Sequence, residues 1–163
     1  MTPNPKPAQL DDTTVTLPSD REILITRTFD APRDLVFKAM TTPENIRQWY
    51  GPRGTVLGEC KIDLRVGGAW RFVMRGPDGS QHAFSGVYRE IQAPERIVQT
   101  WNYESIPGAE TVETMTLRDV GGKTQMTTHV QHKSKASRDG HLQSGMEGGM
   151  RETLARLEEL VSR

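Results

Sequence analysis

At 163 residues the chain has room for one domain with a substantial core, and not for two of ordinary size. Its 21 basic residues balance 21 acidic ones, so no net field draws it to nucleic acid or to an anionic membrane. No apolar run of about 7–15 residues opens the chain as a secretory signal would, and nowhere do about 18 apolar residues run together, so a soluble, cytoplasmic protein is expected.

Residues 1–20 carry Pro3, Pro5, Pro7 and Pro18 among polar residues. They hold too few apolar groups to offset the entropy of ordering, and read as a disordered polar leader before a domain spanning 21–163. Glu22 to Phe29 alternates apolar Ile23 and Ile25 with polar or β-branched neighbours, the period of a half-buried strand. Asp30 is then placed to cap a helix whose first turn Pro32 pre-sets, and Leu35, Val36, Ala39 and Met40 recur at helical spacing. Pro43 opens a second short helix containing Ile46, Trp49 and Tyr50, which Gly51-Pro52 ends.

From Thr55 onward, turn residues at Gly67-Gly68, Pro77-Asp78-Gly79, Ala93-Pro94, Pro107-Gly108 and Gly121-Gly122 divide the chain into about six antiparallel strands. Trp70, Phe72 and Met74 alternate with Arg71, Val73 and Arg75, which gives the sheet a bulky apolar face and a face for solvent. Cys60, the single cysteine, allows neither an internal disulfide nor a multi-thiolate metal site and reads as structural. After Arg138 the period lengthens, and Met146, Met150, Leu154, Leu157 and Val161 form one stripe of a long helix, with Glu147–Arg151 and Glu152–Arg156 as pairs on its outer side. The order of elements predicts an α+β fold in which an antiparallel sheet curls its apolar face around the last helix.

Several stretches carry a resemblance: Phe29-Asp30-Ala31-Pro32 with Val36-Phe37, Trp49-Tyr50-Gly51-Pro52, Gly67-Gly68-Ala69-Trp70-Arg71-Phe72, Gly86-Val87-Tyr88-Arg89-Glu90-Ile91, Pro94-Glu95-Arg96-Ile97 and the terminal Leu-Glu-Glu-Leu. Together they resemble, over residues 22–162, the group related to the C-terminal domain of the activator of Hsp90 ATPase, within the START-like (Bet v 1-like) superfamily. The resemblance implies a helix-grip fold with two short helices after the first strand and a cavity between sheet and last helix. Relatives commonly place a Gly-Trp pair where this chain has Gly149-Met150, which exchanges a bulky wall for a flexible thioether.

On that reading Trp49, Trp70 and Trp101 are large walls of a pocket for a small apolar or amphipathic molecule, with Phe72 and Phe84 beside them. Met74, Met115, Met126, Met146 and Met150 supply an adaptable lining, or else ordinary core. Glu113 shares strand parity with Met115 and Leu117, so its carboxylate points inward, where it either meets a ligand or is paired or wetted at the rim. Tyr88 shares parity with Phe84 and Gly86, although a bulge at Glu90-Ile91 would reverse its direction. Gly145, Gly148 and Gly149 give either a close approach to the sheet or room for a ligand, or else a frayed helix start before Met150.

His82, His129, His132 and His141 lack metal-ligand spacing and read as surface histidines, so neither metal nor cofactor is expected. No nucleophile motif appears, and no catalytic residue is assigned. A hydrophobic ligand-binding domain is the first functional reading. An enzyme of the polyketide cyclase type, with Glu113 or Tyr88 as acid or base, is the second, and a module acting on the Hsp90 chaperone ranks last because 20 polar residues do not replace the co-chaperone's additional N-terminal domain. Sheet edges make a homodimer a further expectation.

Overall fold

The period-two segments become strands of one antiparallel sheet, and the helical stripe becomes the element that covers it. The computed structural model describes residues 13–162. In chain order these form β1 (Thr14–Thr16), β2 (Glu22–Phe29), α1 (Arg33–Thr41), α2 (Pro43–Ile46), β3 (Val56–Ile62), β4 (Ala69–Arg75), β5 (Gln81–Gln92) and β6 (Arg96–Tyr103). They continue with β7 (Thr111–Val120), β8 (Lys123–Gln131), α3 (Lys135–Gln143) and α4 (Met146–Val161). The strands make an eight-stranded sheet in the order β1-β2-β8-β7-β6-β5-β4-β3. The expected six strands after Thr55 are β3 to β8, and the β7–β8 turn is a hairpin in which Gly121 and Gly122 both take positive φ, as its two-residue geometry requires.

Alternation decides what faces inward. Ile23, Ile25 and Phe29 of β2, Trp70 and Phe72 of β4, Ile97 of β6, Leu117 of β7 and Met126 and Val130 of β8 are buried together with Leu154, Leu157 and Val161 of α4. Cys60 is buried among them on β3. The helix stripe therefore lies against the sheet's apolar face, as a helix-grip fold demands. Val36, Ala39 and Ile46 from α1 and α2 join the same core.

Local expectations change at five points. The leader does not extend to Asp20: Thr14–Thr16 pairs antiparallel with β2, and buried Thr13 accepts a hydrogen bond from the Arg27 guanidinium at 2.9 Å. That partner offsets the desolvation of an arginine whose strand parity points it inward. Residues 1–12 lie outside the described residues. Asp30 does not cap α1, since Pro32 occupies the cap position and the Asp30 N–H instead donates to Glu158 at 3.0 Å. The second short helix ends at Ile46, so Trp49 and Tyr50 stand in the turns that follow it.

The long helix stands at Met146–Val161 and is preceded by an unexpected one: α3 stops at Gln143, and Gly145 at φ 82° turns the chain into α4. That start at Met146 places Gly148 and Gly149 inside the helix, where a Cβ on Gly149 would lie 3.3 Å from Pro52. The Glu147–Arg151 pair forms on α4. The Glu152–Arg156 pair gives way to stronger partners, because Glu152 accepts from the Arg53 N–H at 3.0 Å and Arg156 donates to the carbonyls of Gly51 and Gln48.

Candidate functional site

The inner face has two ends that differ in packing. Toward one end Ile97, Leu117, Met126, Phe29 and Leu157 are 3% exposed or less. Toward the other, Phe84, Trp101, Glu113 and Met115 share the same inward parity yet are only half-buried, and the facing Met146 and Met150 of α4 are half-buried as well. Inward side chains that stay incompletely covered make this end of the inner face less tightly packed than the other.

Strand register sets Glu113 in this loose region. Tyr88 of β5 pairs with Gln99 of β6, Gln99 with Glu113 of β7, and Glu113 with Val130 of β8, so one row crosses four strands on the inner face. The Gln99 amide donates to Glu113 at 3.3 Å. Burial pushes the Glu113 carboxyl up to about 7, against a smaller lowering by that hydrogen bond. Tyr88 is buried and inward, because the β5 irregularity falls after it, between Tyr88 and Glu90. Burial also raises its phenol well above the ordinary tyrosine range.

An aromatic wall flanks this row. Tyr50 meets Phe72 edge-on at 4.9 Å and Phe84 at 6.2 Å between ring centroids. Phe84 stacks on Trp101 at 5.5 Å, and Trp101 stacks on His141 of α3 at 5.4 Å with only 14° between planes. Ionisation of the Tyr50 phenol is opposed first by burial and then by the charge of Glu113. Gly86 makes room for the wall, since a Cβ there would stand 1.9 Å from the Thr100 carbonyl and 2.7 Å from Trp70 Nε1.

Two histidines that read as surface residues close the wall's far side. His132 is 3% exposed, and its Nε2 lies 3.0 Å from His141 Nδ1. Burial lowers both imidazoles, His141 to about 4 with help from His132, so the pair is neutral at pH 7. His132 Nδ1 is buried without a partner. One ring of the pair donates to the other, the direction being set by which tautomer each neutral imidazole holds. His82 and His129 are half-buried and bonded to Tyr103 and Glu22.

Among the residues singled out from sequence, Trp70, Phe72, Phe84, Trp101, Glu113 and Tyr88 thus share the inner face, and Trp70 tilts against Phe72 at 4.9 Å. Met74, Met115, Met146 and Met150 are half-buried against the core, whereas Met126 is fully packed in its solid end. Trp49 is taken up by the helix pair, with its indole N–H donating to the Ala39 carbonyl at 2.9 Å. Tyr50, Gln99, His132 and His141 join the site without having been singled out for it. Gln99 carried a legible signal, since it shares inward parity with Trp101 and Tyr103.

The outer face carries a broad open groove of about 710 Å³, lined by Lys61, Arg71, Ser85 and Asn102 among others. Its central cation is already satisfied: Arg71 binds Glu104 through two nitrogens at 2.9 Å and Glu59 at 3.2 Å. Among the described residues no three His, Cys, Asp or Glu side chains converge as metal ligands, and no helix is long and apolar enough to cross a membrane.

This architecture is shared. A protein from Rhodobacter sphaeroides superposes with a TM-score of 0.87 at 26% identity, over 92% of this chain and 97% of its own. One from Nitrosomonas europaea does so at 0.80 and 25% identity, over 90% and 97%, and one from Chromobacterium violaceum at 0.73 and 27%, over 89% and 99%. No curated protein matches the chain. The family model described as activator of Hsp90 ATPase homolog 1-like protein matches residues 30–162. A match over that much of the domain, on a sheet wrapped around its last helix, places the chain in this family, within the START-like superfamily.

Proposed function

We propose that this domain binds a small, predominantly apolar molecule between the loose end of the inner face and α4, with one polar group of the ligand directed at Glu113. The observation that carries this reading is the incomplete cover over Phe84, Trp101, Glu113 and Met115, on a face whose other end is solidly packed. Concave apolar walls with a few convergent polar groups are what small-molecule sites consist of. Burial of the ligand's apolar area supplies affinity at roughly 25 cal/mol per Å², less the cost of immobilising it.

Met150→Trp tests the reading. In solid core the added volume would cost about 1–3 kcal/mol through overpacking. In a ligand cavity it fills open space, so thermal unfolding is expected to stay near the wild type while a displaceable fluorescent apolar dye no longer binds. A strongly destabilised variant, together with a wild type that takes up no dye, would defeat the proposal.

An enzymatic use of the same site has one specific support, since a carboxyl near 7 is matched to proton transfer at neutral pH. Turnover of a bound compound, lost in Glu113→Gln, would favour that second reading.

A further inference from the structure

The buried charges on the inner side of the sheet are not all balanced. Arg27, inward on β2, faces Glu158 of α4 at 3.5 Å, and Arg138 of α3 binds Asp139 at 3.0 Å. Among the described residues, Glu113 has only the neutral amide of Gln99 as partner, at 3.3 Å. The groups that surround it are also uncharged at neutral pH: the Tyr50 phenol from the turn after α2, the Tyr88 phenol from β5, Val130 from β8, and beyond Trp101 the neutral His141 of α3. A half-buried carboxylate with no counter-ion still carries a desolvation cost, and what offsets that cost best is a cation brought within hydrogen-bond reach.

The wall beside it suits the apolar body of the same visitor. Phe84 stacks on Trp101 and Tyr103, and Trp101 on His141, so these rings offer edges and apolar surface to a ligand and leave its cation to the carboxylate. Resting on the ligand-binding reading above, we infer that the ligand class of this site is a hydrophobic amine, whose protonated nitrogen is held by the Glu113 carboxylate beside the Tyr50–Trp101 aromatic wall while its apolar body lies against α4. A carboxylic acid ligand would be repelled at the same position, and an alcohol would gain one neutral hydrogen bond in place of an ion pair.

The proton balance follows. An alkylamine stays protonated from pH 5 to 8, whereas Glu113, near 7, is about half protonated at pH 7, so binding releases about half a proton there. Affinity should rise about tenfold per pH step as pH climbs toward 7, and level off above it.

Octylamine, octanol and octanoate form a matched series for calorimetry on the full chain at pH 5 and pH 8, with octylamine also measured in phosphate and in Tris near pH 7. Octylamine is expected to bind at least tenfold tighter than octanol at pH 8, with a buffer-dependent heat near pH 7. Its preference should vanish at pH 5 in the wild type and at both pH values in Glu113→Gln. Octanol equal to octylamine at pH 8, or a preference that survives at pH 5, overturns the amine assignment and leaves ligand binding intact. If none of the three binds and the apolar dye also fails, the binding reading itself is overturned. The wild-type pH comparison decides the question even if Glu113→Gln does not fold.

Discussion

Burial moves Glu113 from the ordinary carboxylate range up to about 7, and the direction fixes how it acts on stability. A carboxyl whose folded value is raised stabilises the fold below its unfolded value, near 4.5, and that contribution is lost as pH rises through 7. Glu113→Gln keeps the shape and the bond to Gln99 while removing the ionisation. It is therefore expected to gain on the wild type by about 2–3 kcal/mol at pH 8 relative to pH 4, read from urea unfolding at both pH values. Equal differences at the two pH values would show that the carboxyl is not desolvated. The inward direction of Glu113 was legible because strand parity is a local property, shared with Met115 and Leu117. Tyr50 was not legible as a site residue, because its position depends on a turn that leaves the helical stripe before reaching it.

At the scale of the element, α3 was hidden by its own composition. Lys135 to Gln143 has one large apolar residue, Leu142, so no stripe announces it, and the pattern after Met146 reads as the whole helix. What holds α3 is polar: Ser134 accepts from the Ser137 N–H at 3.0 Å, Arg138 donates to the Ser19 carbonyl at 2.7 Å, and His141 meets His132. Side-chain bonds between distant residues leave no periodic trace, which is why these histidines read as surface groups. A lowered imidazole contributes stability that is complete above about 6.5 and is lost as pH falls toward 4. Replacing His141 by Gln should remove on the order of 2 kcal/mol of that acid sensitivity, measured as a flatter dependence of unfolding free energy between pH 7.5 and 4.5. An unchanged acid limb would place the titration elsewhere.

For the whole molecule, the number of strands after Thr55 and the identity of the covering helix were legible, since period and turn chemistry are written along the chain. Strand order was not: β2 lies between β1 and β8, a pairing across about a hundred residues that no local pattern encodes. The same blindness hid β1, whose three residues are ordered by what they touch. Thr13→Val removes the hydroxyl that accepts from Arg27, leaving part of a buried guanidinium unmatched, and should cost about 1–2 kcal/mol, or several degrees in melting temperature. A neutral result would mean that Arg27's remaining partners suffice. Arg151 of α4 meanwhile donates to the Thr13 carbonyl at 2.9 Å, and Glu158 of α4 reaches both Arg27 and the Asp30 N–H. The first strand and the last helix are thereby latched through the same few groups, although more than 130 residues separate Thr13 from Arg151. Such a latch makes the two a single opening unit: amide exchange of the β1 ladder should proceed with the free energy of α4 release rather than with that of a fraying edge.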